Sequence, residues 1–250
     1  MKNFKETTLA ELVTGQTEAA VIFEKYQLDF CCNGKRSLQE ACEQKGLDTD
    51  QIVTELEAII SNRDETAPAQ DTFNEMSLSE LASYIQAKHH SFVREMIPPM
   101  VAHTQKVANR HGGNNPNLIR IAALWLSLAE ELTQHMYKEE NILFPYVKRL
   151  EEAAKTGDST LFPQKAFVSH PVQVMETEHD KAGEIMKEIR QLTNDFTPPL
   201  MACMTYRLSF RELKGFEADL HQHIHLENNI LFPKSILLEK ELISKLALVS

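Results

Sequence analysis

The chain has 250 residues and a formal net charge of -10, from 36 acidic and 26 basic side chains, with only 8 glycines and 4 cysteines. That length buries a full core and leaves room for a small second domain, while the acidic balance argues against a nucleic-acid or anionic-membrane partner. Residues 1–6 lack the apolar core of a signal peptide, and the most apolar stretch, Ile119 to Ala129, is too short and interrupted to span a bilayer, so a soluble, cytoplasmic protein is expected.

Few glycines and many Leu, Ala, Glu and Lys, without alternating β-branched runs, point to an all-α chain. Thr8 to about Ser61 reads as short helices separated by turns at Asn33-Gly34 and Gly46, and Ser37-Leu-Gln-Glu40 has the capping-box spacing that starts the helix carrying Cys42. Four cysteines, with Cys31 and Cys32 adjacent, suit reduced thiols rather than a disulfide framework. The polar, aperiodic stretch around Ala67-Pro68-Ala69 marks a linker over residues 62–76, dividing a domain of residues 1–61 from one of 77–250.

A second capping box, Ser77-Leu-Ser-Glu80, opens a long helix reaching toward Arg110, with a bend expected at Pro98-Pro99. After a loop at His111-Gly-Gly-Asn-Asn-Pro116, a second long helix starts near Asn117, a third near Pro171, and a fourth runs from about Pro199 to a break at Pro233. Four long helices joined by loops imply an up-and-down four-helix bundle.

In the second helix, Leu118, Ile121, Trp125, Leu128, Leu132, His135, Glu139 and Ile142 step by three and four, and Leu213, Phe216, Leu220, His223, Glu227 and Ile230 repeat this in the fourth. A histidine and a glutamate thus occupy core positions twice, inside an internal repeat: His135-Met-Tyr-Lys-Glu139-Glu-Asn-Ile-Leu-Phe-Pro145 against His223-Ile-His-Leu-Glu227-Asn-Asn-Ile-Leu-Phe-Pro233. The first and third helices carry a fainter echo, His90-x4-Glu95 and His179-x4-Glu184. Buried carboxylates need a partner, and residues four apart on a helix can point at one centre. Four imidazoles and two carboxylates are too many for one tetrahedral zinc and suit two carboxylate-bridged metals with positions left open.

These segments resemble the hemerythrin-like domain, whose His-x3-Glu motifs end in Leu-Phe-Pro, and Leu28-Asp-Phe-Cys-Cys-Asn-Gly-Lys35 resembles the short domain preceding it in iron-sulfur cluster repair di-iron proteins. Val174-Met-Glu-Thr-Glu-His-Asp180 is a further match. The resemblance implies metal ligands at His90, His135, Glu139, His179, His223 and Glu227, with both glutamates bridging two non-haem iron ions in an oxygen-bridged centre. It implies a role in restoring clusters damaged by oxidative or nitrosative stress, with iron supplied to damaged iron-sulfur proteins. A binding protein or sensor for oxygen or nitric oxide, or a nitric oxide reductase, is the alternative; small diatomic ligands and a homodimer are compatible with either.

In the first helix, Leu78, Ile85, His89, Phe92 and Met96 make the better apolar seam, whereas the resemblance and the echo with His179 favour His90. His221 and His225 are placed about 160° around the helix from His223 and are expected to face solvent; His103, His111 and His170 are read as surface residues, and Met175 and Met186 as packing. Cys31 and Cys32, beside Lys35, Arg36 and a helix start, are expected to be reactive thiols of lowered pKa, against a bland reading as small buried residues. Cys42 and Cys203 are expected in the core. Glu131 and Asp219, each four residues before a motif histidine, and Glu178 beside His179 either support ligand imidazoles and iron passage or form a solvated acidic face.

Overall fold

Reciprocal caps fix three helix starts. Thr8, Ser37 and Ser77 each accept a hydrogen bond from the backbone N–H three residues on, and Glu11, Glu40 and Glu80 accept from the cap residue's own N–H, satisfying donors that a helix start leaves unpaired. The computed structural model describes residues 3–16, 18–61, 72–161 and 167–247. Its N-terminal helices are α1 (Leu9–Gly15), α2 (Ala19–Lys25), α3 (Leu38–Lys45) and α4 (Thr49–Ser61). Gly46 ends α3 in the left-handed conformation, φ 64°, which glycine adopts without a Cβ penalty. Residues 62–71 of the expected linker lie outside the described residues, and Thr72–Glu75 forms the short helix α5.

The cysteine loop between α2 and α3 is held against α1 by backbone pairing. Ala10 N–H donates to Gly34 O at 2.9 Å and Leu9 N–H to Arg36 O at 3.0 Å. A Cβ at Gly34 would stand 2.3 Å from Phe30 O and 2.9 Å from Ala10 Cβ, and the first of these is backbone that must move. Gly34→Ala is therefore expected to cost about 1–3 kcal/mol and to lower Tm by several degrees in thermal melts, with metal content unchanged.

Four rods form the bundle. The first is α6 (Leu78–Ile85), a π turn at Gln86–His90 and α7 (Ser91–His111); the second is α8 (Asn117–Lys138), a π turn at Glu139–Leu143 and α9 (Phe144–Thr156). The third is α10 (Ser169–Leu192), and the fourth is α11 (Met204–Leu226), a π turn at Glu227–Leu231 and α12 (Phe232–Ala247). The second rod packs between the first and third, and the fourth packs against the first. The chain is all-α, with one isolated antiparallel bridge, Thr8 to Ser37, among the described residues.

The fourth rod does not break at Pro233. Proline cannot donate to the preceding turn and crowds its carbonyl; here a widened turn immediately precedes both Pro145 and Pro233, and the helix continues beyond each. The same turn moves Ile142 out of the seam to 58% exposure, while Leu143 and Phe144 enter the core, because one extra residue shifts the helical phase by roughly 100°. The fourth rod begins at Met204, five residues after Pro199, and Cys203 is exposed as its extended N-cap residue rather than buried in the core. Cys42, Met175 and Met186 are buried, as the spacing predicts.

Two apolar clusters flank the level of the π turns. One contains Leu81, Ile85, Phe144, Val147, Met175 and Phe232. The other contains Met100, Trp125, Leu128, Leu132, Phe216 and Leu220 and is continuous with Leu9, Phe23, Phe30 and Leu56 of the N-terminal helices, so the cysteine-bearing segment shares a core with the bundle. Buried Glu239 accepts from the Tyr146 hydroxyl and from Val168 N–H, tying α12 to α9 and to the start of α10. No helix among the described residues is long and apolar enough to cross a membrane.

Candidate metal centre

The three π turns among the described residues lie at one level, and each carries a residue expected as a ligand: His90 ends the first, and Glu139 and Glu227 begin the others. A π turn inserts a residue into the helical register and so redirects side chains, which is why such turns recur at functional sites. In the first rod it turns both His89 and His90 inward, at 3% and 0% exposure. His89 thus continues the apolar seam from Ile85, and His90 joins the polar cluster.

His90, His135, Glu139, His179, His223 and Glu227 come together, all buried, in two overlapping groups. His90 and His223 form one with both glutamates; His135 and His179 form the other with the same glutamates. The two oxygens of each carboxylate are divided between the groups. Glu139 Oε2 is 3.3 Å from His90 Nε2 and its Oε1 is 3.3 Å from His135 Nε2. Glu227 Oε1 is 3.2 Å from His223 Nε2, and its Oε2 is 3.1 Å from His179 Nε2. The ring nitrogens also face one another pairwise, His90 to His223 at 3.2 Å and His135 to His179 at 3.0 Å.

This donor set fits cations. All four oxygens of Glu139 and Glu227 are buried without a hydrogen-bond partner among the described residues, a state that costs several kcal/mol per group unless positive charge compensates it. Burial pushes the Glu227 carboxyl up, but His223 and His179 outweigh that and hold it well below the usual range. Burial and the neighbouring Glu227 likewise raise Glu139, and His135 and His90 bring it below its ordinary value. Both carboxylates are therefore ionised and able to bridge two ions, each also facing two imidazoles.

The outward nitrogens of three histidines are fixed by partners. His90 Nδ1 is 2.7 Å from Glu140, which also pairs with Arg94. His135 Nδ1 is 2.9 Å from Glu178, which also pairs with Lys138; these two hold the Glu178 carboxyl down at about 2. His179 Nδ1 is 2.8 Å from Asn228 Oδ1. His223 Nδ1 has no partner among the described residues, and its ring stacks on His89 at 5.5 Å.

Glu178 thus supports His135 rather than its sequence neighbour His179. Asp219 pairs with His89 Nδ1 at 3.1 Å, and Glu131 pairs with Lys181 at the surface. Glu140 and Asn228 were not singled out by the sequence, although the repeat aligns them: each follows the motif glutamate and accepts from the histidine of a neighbouring rod. Such partners hold the imidazole ring and tautomer, and their loss weakens metal binding about 10- to 100-fold. Asn228→Ala is expected to raise the apparent metal dissociation constant by that factor in a chelator competition, with helical content unchanged.

His225 does not face solvent: it is buried against Phe30 at 5.7 Å and pairs with Asn229, with burial holding its pKa down at about 4. His221 pairs with Glu24. The N-terminal helices cover the face assigned to solvent on helical phase alone. His170 is exposed, and His103 and His111 are partly exposed.

Asp29 Oδ1 accepts from the backbone N–H groups of Cys31, Cys32 and Asn33, folding the cysteine loop around one carboxylate. Cys31 is buried, Cys32 half-buried, and their sulfurs are 3.8 Å apart. Contrary to the expected lowering, the Cys31 thiol is raised well above its ordinary value, by the Cys32 sulfur, by burial and by Asp29; Arg36 instead engages Asn33 O and Gln44. Asn228 Nδ2 donates to Cys31 O at 3.3 Å and Asn229 Nδ2 to Phe30 O at 3.0 Å. Asn228 therefore touches both His179 and the cysteine loop.

The hemerythrin HHE cation binding domain matches residues 81–235, and ScdA_N, a domain of unknown function, matches residues 5–60. The iron-sulfur cluster repair protein YtfE of Yersinia pseudotuberculosis serotype IB (strain PB1/+) is 36% identical over 236 residues, covering 94% of this chain and 98% of the relative. That of Cronobacter sakazakii (strain ATCC BAA-894) is 37% identical over 238 residues, covering 95% and 99%. With both domains matched and nearly the whole length aligned, the chain belongs to the family of iron-sulfur cluster repair proteins that join a cysteine-pair domain to a hemerythrin-like bundle.

Proposed function

We propose that this protein repairs damaged iron-sulfur clusters in the cytoplasm by supplying iron from an oxygen-bridged di-iron centre. His90 and His223 would hold one ion and His135 and His179 the other, with Glu139 and Glu227 spanning both. The observation that carries this reading is the division of each buried carboxylate's oxygens between two histidine pairs. Imidazole and carboxylate ligands suit iron without committing it to a cluster, because no thiolate enters the set. Bound iron supplies the exchangeable metal itself.

The protein's own groups orient and shield. Glu140, Glu178 and Asn228 hold three imidazoles in register, and the apolar clusters on either side limit water. The relatives' name favours damaged iron-sulfur proteins as recipients over a diatomic-gas carrier or a nitric oxide reductase. Asn228 joins His179 to the carbonyl of Cys31, and Cys31 and Cys32 would serve the transfer side of the reaction.

The test is anaerobic incubation of the iron-loaded protein with an iron-sulfur hydratase inactivated by nitric oxide. Hydratase activity is expected to return, and to return far less with the Glu139→Ala variant. Equal recovery with free ferrous iron at the same concentration would remove the repair reading.

A further inference from the structure

The cysteine loop contains a second cluster of metal-ligating groups that the bundle centre does not use. Asp29, Cys31 and Cys32 each offer a ligand atom within 4.8 Å of the others. The two sulfurs are 3.8 Å apart, and Cys31 Sγ lies 3.4 Å from Asp29 Oδ1. Two thiolates bound at about 2.3 Å to one tetrahedral ion stand about 3.8 Å apart. A disulfide is the poorer fit, because adjacent residues have Cα atoms about 3.8 Å apart, below the usual range of about 4.4–6.8 Å.

Space is present beside the sulfurs. A recess of about 150 Å³ has Cys31, Cys32 and Lys35 of the cysteine loop on one side and Glu176, Asp180 and Asn228 on the other, so two carboxylates from α10 border it and outnumber the one cation. Cys32 also lines a larger cleft of about 750 Å³ between the N-terminal helices and the bundle. A Cβ at Gly183 of α10 would lie 3.7 Å from the Cys32 sulfur, ordinary contact. The thiols thus stand between the larger cleft and Asn228, whose side chain touches His179 of the bundle centre.

We propose that Cys31 and Cys32 form a second metal site, a two-thiolate site that takes ferrous iron on its way from the bundle centre to a recipient. The transit role rests on the donor reading above; the site itself does not. Binding exchanges two thiol protons, released to water, for one divalent ion, and no electron moves. Glu176 and Asp180 border the recess and add negative charge beside the thiols, and thiolate softness selects iron, zinc or cobalt over magnesium or calcium. Asp29 holds both cysteine N–H groups and so presets the sulfur spacing before metal arrives.

Cobalt(II) tests the site in the full chain with its bundle loaded with ferric iron, in a Cys203→Ser background, since the Cys203 sulfur lies 3.4 Å from His111 Nε2 and could bind metal itself. Absorption at the cobalt edge, which iron does not obscure, is expected to show about one cobalt per chain with sulfur neighbours near 2.3 Å. Cobalt uptake should fall at least tenfold in Cys31→Ser and in Cys32→Ser, with iron content and helical signal unchanged. Cobalt with only nitrogen and oxygen neighbours, or equal uptake by both variants, would overturn the site.

For transit, chelator capture of iron from the reduced protein should slow at least tenfold in the Cys31→Ser/Cys32→Ser variant. Equal capture rates would overturn the relay. If the reduced wild-type protein releases no iron, the donor reading and the relay fall together, while the cobalt result still decides the thiol site.

Discussion

Glu139→Ala or Glu227→Ala is expected to leave the purified protein with close to no iron, rather than with one ion of two. Each carboxylate turns one oxygen toward each histidine pair, so removing either deprives both positions of a negative ligand. The remaining glutamate then faces four imidazoles alone in a layer where ions are costly to bury. Removing one histidine should be milder, because it subtracts a neutral ligand from one position. His111→Ala, near the loop end of α7 and away from the cluster, should retain full iron. Metal analysis of the variants, with circular dichroism to confirm folding, reads the difference; loss of one iron only would show that the carboxylates do not bridge.

A second large effect separates a donor from a carrier. The reduced protein is expected to lose its iron to a ferrous chelator at least tenfold faster than the oxidised protein. Reduction removes positive charge from a pocket built around two buried carboxylates, and their attraction for the ion falls with that charge. Glu178 links the centre to its surroundings: it is one-third exposed, it contacts His135, and nearby Lys138 pairs with it. Glu131 is held at the surface by Lys181. Glu178→Gln should therefore alter release more than Glu131→Gln. Time courses of chelator capture in the two oxidation states check this, and equal retention with reversible binding of oxygen or nitric oxide would favour a carrier.

The bundle and most of its polar layer were legible because helical periodicity makes His135, Glu139, His223 and Glu227 conspicuous among Leu, Phe and Trp in two matching seams. Capping boxes marked the starts at Ser37 and Ser77 for the same local reason. What periodicity could not supply was the phase change at the π turns. A constant 100° step carries Ile142 inward, forces a choice between His89 and His90, and ends the fourth rod at Pro233; an inserted residue exposes Ile142, buries both histidines and carries the helix past the proline.

Tertiary coverage was equally hidden. His225 is on the outer face of its own helix and becomes buried only because Phe30 of the cysteine loop lies over it. The partners Glu140 and Asn228 were written in the repeat, one residue after each motif glutamate, yet nothing local indicates that they reach a histidine on another rod. Basic sequence neighbours point to a lowered Cys31 thiol pKa, whereas that pKa is raised by Cys32, burial and Asp29.

The most direct measurement is the metal content of the full-length protein as isolated, read together with its optical spectrum. Two iron atoms per chain, with the absorption of an oxygen-bridged ferric pair that disappears on reduction, is the result expected from two histidine pairs sharing Glu139 and Glu227. One zinc per chain, with no such absorption, would contradict it.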